Sequence, residues 1–113
     1  MIVIADIVAR AFADRGLEGV AVDQKLQQSW ACDAVKETFN VRPELRLKTT
    51  GGYYDSALAE TESNIPATLE EFAPAVQCYV IFRYRTQTRE RDEAATEYAS
   101  FLRLLGVRMP SNG

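Results

Sequence analysis

Asn64-Ile-Pro-Ala-Thr-Leu-Glu-Glu-Phe-Ala-Pro-Ala-Val-Gln-Cys-Tyr-Val-Ile-Phe-Arg-Tyr-Arg85, then a charged break, then Asp92-Glu-Ala-Ala-Thr-Glu-Tyr-Ala-Ser-Phe-Leu-Arg-Leu-Leu-Gly106, reads as a closing helical hairpin. Apolar residues recur at helical spacing in both halves. The first half predicts Leu69, Phe72, Val76, Tyr79, Val80 and Phe82 as its buried side, and the second Ala94, Ala95, Tyr98, Phe101, Leu102 and Leu105. Thr68 and Glu71 have the spacing of a capping box, in which each side chain satisfies an orphan amide of the first turn. Pro74 conflicts with that start, because it removes a backbone donor beyond the first turn. The spacing favours one helix kinked at Pro74 and fraying by Thr86, over a short turn at 67–72 with a helix beginning near Ala73. Gly106 ends the second helix, with Val107 placed to fold back as the apolar partner of a Schellman motif.

Upstream, Ile4, Ile7, Val8, Ala11 and Phe12 share one side of a helix over about 3–15, and Gly16 is its expected C-terminal cap. A second helix is predicted over about 23–40, capped by Asp23 and burying Leu26, Trp30, Ala34, Val35 and Phe39. Trp30 on that stripe reads as core. Pro43 stops the helix and biases Arg42 towards an extended conformation. From Leu45 to Tyr54 the period changes to two, around Gly51-Gly52, which is a β-hairpin signal. The sum is a single, mainly α domain over 1–113. It has four helices, a β-hairpin inserted at about 45–54, the closing helical hairpin and a flexible tail at about 107–113.

Composition narrows the function. The chain has 113 residues, a net charge of −3 and no histidine. The missing histidine removes the commonest general base, and the acidic balance argues against general nucleic-acid binding. Cys32 and Cys78 are too few for an intrachain zinc site and fall in apolar patterns, so buried reduced thiols are expected. Carboxylates such as Glu60, Glu62, Glu70 and Glu71 read as solvated or capping acids. No phosphate loop, dinucleotide fingerprint or nucleophile elbow is present. The expectation is a non-enzyme with no catalytic residues, cofactor or metal. The opening Met-Ile-Val-Ile-Ala-Asp is too soon acidic for a signal peptide, and no apolar run approaches a membrane span. A soluble protein of a reducing compartment is therefore expected.

One charge anomaly stands out. Arg83, Arg85, Arg89 and Arg91 crowd the turn of the closing hairpin, beside Glu90, Asp92 and Glu93. The bland interpretation is a solvated corner, since exposed ion pairs contribute little. The functional one is a patch meeting an acidic partner surface, because arginine is enriched at interfaces. The candidate interface set is Arg46, Lys48, Tyr53 and Tyr54 of the inserted hairpin, those four arginines, and Arg108 of the tail.

Two segments resemble phage head-to-tail adaptor (connector) proteins of the neck. Trp30-Ala-Cys-Asp-Ala-Val-Lys-Glu-Thr-Phe-Asn-Val-Arg-Pro43 resembles the family's second helix, with its mid-helix Asp-Ala and closing Arg-Pro. Ile65-Pro66, Phe72, Ala75-Val76, Tyr79-Val80, Arg83-Tyr84, Asp92, Ala94-Ala95, Tyr98, Phe101 and Leu105-Gly106 resemble its closing hairpin. Together they span about half the chain. The resemblance implies a structural virion protein, made in the host cytoplasm, that forms a homo-oligomeric ring of typically twelve copies beneath the portal protein. Such a ring extends the DNA channel, lets genome DNA pass without sequence-specific binding, involves no membrane, and carries the tail, nozzle or next neck protein. Some members clasp the portal with a long carboxy-terminal extension, which the short stretch after Gly106 cannot match. The alternative class is a small regulatory helical module, either a transcription factor or an inhibitor of a host protein.

Overall fold

A computed structural model describes residues 4–17, 19, 23–48 and 67–106. Four helices account for most of them: α1 (Ile4–Asp14), α2 (Gln24–Val41), α3 (Ala73–Gln87) and α4 (Arg91–Leu104). Two short 3₁₀ segments, Pro43–Lys48 and Ala67–Phe72, follow α2 and precede α3. There is no strand among the described residues.

Helix α1 buries the five residues its spacing selects: Ile4, Ile7, Val8, Ala11 and Phe12. Its end is a full Schellman motif. The Gly16 amide donates to the Ala13 carbonyl at 3.1 Å and the Leu17 amide to that of Phe12 at 2.8 Å. Gly16 takes φ +66°, where a side chain would be strained. Asp23 caps α2 as expected, its carboxylate accepting from the Lys25 amide at 3.0 Å. Trp30, Ala34, Val35 and Phe39 are buried, but Leu26 in the first turn is exposed. Its position is on the stripe, at the end of the helix away from buried Phe39.

The inserted β-hairpin is corrected where it can be seen. Residues 43–48, the expected first strand with its approach, form a 3₁₀ helix instead. Pro43 has the φ a helical turn needs at its first position, and the Leu45 amide closes the turn onto the Arg42 carbonyl at 3.1 Å. A two-residue alternation over so short a run is a weak signal, and a buried Leu45 satisfies either geometry. The remainder of that hairpin, 49–54, lies outside the described residues.

The single helix kinked at Pro74 is also corrected. The Ala67–Phe72 turn comes first, and Pro74 sits in the opening turn of α3, where its missing amide would have had no partner. The side chain of Thr68, and with it the capping box, lies outside the described residues.

Helix α3 is the hub, packing against α1, α2, α4 and the second 3₁₀ segment. It therefore buries Ala75, Cys78 and Ile81 as well as Val76, Tyr79 and Val80. A one-sided stripe understates such a helix. Against α4 it builds an aromatic seam. Tyr79 lies 5.1 Å from Phe101 and 6.5 Å from Tyr98, ring centre to ring centre, while Phe82 lies 4.9 Å from Tyr98. Within α4, Ala94, Phe101 and Leu102 are buried, as is Leu105 just beyond it. Ala95, expected inside, is exposed. Cys32 and Cys78 are buried free thiols.

Two polar clasps lock the ends. Arg15, after α1, grips Glu97 of α4 with two donors at 2.5 and 2.9 Å, and also reaches Cys78 Sγ at 3.5 Å. The Glu97 hydrogen bond raises the Arg15 pKa and keeps the guanidinium charged despite its partial burial. Arg42, after α2, donates to the Leu105 carbonyl at 2.8 Å, pairs with Glu44 and lies over the Phe72 ring at 5.5 Å. One side chain thus joins the ends of α2, α4 and the second 3₁₀ segment.

Glu97→Gln is expected to cost about 2 kcal/mol in urea unfolding, because it weakens a bidentate, charge-assisted contact. In a double-mutant cycle with Arg15→Gln the coupling should be about 1 kcal/mol or more. Coupling indistinguishable from zero would mean that the pair does not form in solution.

Alkaline pH should destabilise the fold. Burial raises the Cys78 thiol and, chiefly by the same cause, the Tyr79 and Tyr98 phenols above their ordinary values. The unfolded chain then loses these protons first, so stability is fully present below the unfolded values and is lost as pH rises through the folded ones. Chemical denaturation should therefore show a decline beginning near about pH 9, smaller in a variant with Cys78→Ala and Tyr98→Phe. A flat profile to the alkaline limit would contradict the burial of these groups.

Candidate functional site

The four arginines of the α3–α4 corner divide into two pairs. Arg83 belongs to the scaffold: it donates to Asp33 of α2 at 2.7 Å, contacts the Tyr79 hydroxyl at 3.5 Å and lies over the Tyr79 ring. Burial opposes its charge, but Tyr79 and Asp33 outweigh that and raise its pKa. Arg85 is scaffold too. It pairs with Glu90 and lies over the Tyr84 ring, while its Nε is buried with no partner among the described residues. These contacts tie both side chains into the scaffold, Arg83 to α2 and Arg85 to the turn.

Arg89 and Arg91 differ. Both are exposed, and among the described residues their side chains make no hydrogen bond or ion pair. They rim an open groove of about 510 Å³ whose other lining residues are Phe82, Thr86, Ala94 and Ala95. None of these lining residues is acidic. Of the carboxylates that adjoin them in sequence, Glu90 is held by Arg85 and exposed Asp92 follows Arg91.

The turn that sets this corner is a Schellman motif with an unusual occupant. The Arg89 amide donates to the Thr86 carbonyl at 3.2 Å and the Glu90 amide to that of Arg85 at 2.8 Å. Arg89 thereby stands at φ +62°, the position glycine normally fills. A side chain there costs about 1–2 kcal/mol, partly offset by the greater freedom glycine adds to the unfolded chain. Arg89→Gly should accordingly be more stable than Arg89→Ala by about 1 kcal/mol, measured by thermal or urea unfolding. Equal stabilities would remove the left-handed turn.

The remaining candidates fall differently. The side chains of Arg46 and Lys48 lie outside the described residues, although their backbone belongs to the first 3₁₀ segment. Tyr53, Tyr54 and Arg108 lie outside them altogether. Sequence reasoning did not single out Phe82, Thr86, Ala94 and Ala95 as neighbours of the arginines. Helical spacing assigns Phe82, Ala94 and Ala95 alike to the core, and the sign that Ala95 faces outward is its place one residue off the Ala94–Phe101–Leu105 line.

Among the described residues no cluster of three or more Cys, Asp or Glu could hold a metal ion. No helix among them is long and apolar enough to cross a membrane. The chain matches no family model, no curated protein and no solved structure.

Proposed function

We propose that this protein is a structural assembly module of the head-to-tail adaptor kind, docking as a ring beneath a portal and carrying the next neck or tail component. The observation that carries the reading is the α3–α4 corner, where Arg89 and Arg91 are exposed and unpaired beside a groove floored by Phe82, Ala94 and Ala95. Exposed arginine next to aromatic and small apolar surface is the composition protein interfaces favour. The hairpin beneath it is braced by its aromatic seam and by the ion pairs of Arg83 and Arg85, which suits a docking platform. The net charge of −3 suits a channel component, since an acidic lumen would not retain passing DNA. Within this reading the protein resides in the virion neck and is made in the host cytoplasm.

Mixing the purified chain with portal rings tests this. Native mass spectrometry should give a stoichiometric ring-on-ring complex, and mass spectrometry of purified virions should find the chain. A chain that stays monomeric beside portal and is missing from virions would overturn the proposal. Binding to DNA or to a single host protein in small stoichiometry would favour a regulatory module.

A further inference from the structure

We infer that the α3–α4 groove is a recognition site for an acidic segment of a partner protein that presents one apolar side chain between carboxylates. The inference does not depend on the neck-adaptor reading, because the isolated chain suffices to test it.

Two residues, one on either side of Glu90, break local rules at this one place. Arg89 occupies a left-handed position that glycine would take without strain. Arg91 is a cation at the first position of α4, where the helix dipole favours anions. At the equivalent C-terminal positions of α1 and α4, this same chain uses Gly16 and Gly106, with φ +66° and +77°. Rule-breaking residues that stabilise nothing within the fold mark places where function is served instead. Arg83 and Arg85, by contrast, have ion-pair partners within the fold, Asp33 of α2 and Glu90 of the turn.

The chemistry of the lining names the class of ligand. Two unpaired guanidinium groups call for carboxylates, and no lining residue supplies one. Partly buried Phe82, with Ala94 and Ala95, offers an apolar floor that a phosphate backbone could not use. Exposed Asp92 and Glu93 follow Arg91 in the first turn of α4, and their charge disfavours an extended polyanion more than a segment with two carboxylates. The Thr86 hydroxyl donates to the Phe82 carbonyl at 2.8 Å, and its oxygen is left able to accept from a peptide amide.

The test is a fluorescence anisotropy titration with synthetic peptides carrying Leu, Phe or Trp between flanking glutamates. Saturable binding is expected for at least one of them, weakening as salt rises. Replacing its glutamates by glutamine, or its apolar residue by serine, should weaken binding about fivefold or more. Arg89→Gly and Arg91→Gln should each do the same, and Arg89→Gly relaxes the turn, so its loss of binding cannot be blamed on unfolding. The inference is overturned by any of three binding results. These are no saturable binding by any of the peptides, unchanged binding in both arginine variants, or a single-stranded oligonucleotide that outcompetes the peptides through the same arginines. Self-association in analytical ultracentrifugation that Arg91→Gln abolishes and peptide cannot displace would also overturn it, assigning the groove to a second copy. Peptide binding and ring assembly on portal are separate readouts, so either can fail alone.

Discussion

Replacing Phe101 by alanine is expected to remove about 4 kcal/mol of folding free energy. The ring is fully buried and sits in contact with Tyr79 at 5.1 Å and Tyr98 at 5.6 Å. Its loss withdraws apolar area from the core and leaves a cavity that two tyrosines, each tied into other contacts, cannot collapse to fill. Against the 5–15 kcal/mol typical of a domain, about 4 kcal/mol leaves a marginal protein. Trp30 is the only tryptophan and is buried, so its fluorescence reports unfolding in urea without an added label. Phe101→Leu, which keeps most of the volume, should cost only about 1 kcal/mol. A cost below about 1 kcal/mol for the alanine variant would mean that the seam between α3 and α4 is not closed as described.

That seam was legible in the sequence because helical spacing is a strong signal when many large residues obey it. The same holds for α1, whose five-residue stripe is the buried one, and for Asp23 as the cap of α2. What failed was reasoning over short distances. Leu45 and Leu47 alternate, yet the turn after Pro43 is helical, since so short an alternation fixes neither period. At Pro74 two local rules competed, and the structure keeps the proline in the first turn rather than the helix in one piece. The arginine corner was visible as composition only. Which guanidinium groups are paired depends on Asp33, fifty residues before Arg83, and on the handedness of one residue, Arg89. Neither is encoded in spacing.

Leu69→Ala should cost about 3 kcal/mol, the second largest effect expected. The Ala67–Phe72 segment is a 3₁₀ helix of six residues, too short to hold itself by its own hydrogen bonds. Leu69 is fully buried and anchors it in the core, while Phe72 is only partly buried beneath Arg42. Truncation therefore creates a cavity and also loosens the platform on which Arg42 reaches the Leu105 carbonyl. Exposed Glu71, two residues on, is the control, and its alanine variant should fall within about 0.5 kcal/mol of the parent. A Leu69→Ala protein as stable as that control would contradict the burial of this segment.

The brevity of the α3–α4 turn has a consequence for how quickly the chain organises. Only residues 88–90 separate the two helices. Closing so small a loop costs little entropy, so the seam assembles from local encounters. The Arg15–Glu97 clasp joins positions 82 residues apart and can form only after most of the chain has condensed. In a chevron experiment, then, loss of Phe101 should appear mainly as slower folding, and loss of Glu97 mainly as faster unfolding. Speed of assembly and lifetime of the native state are set by different contacts in this molecule.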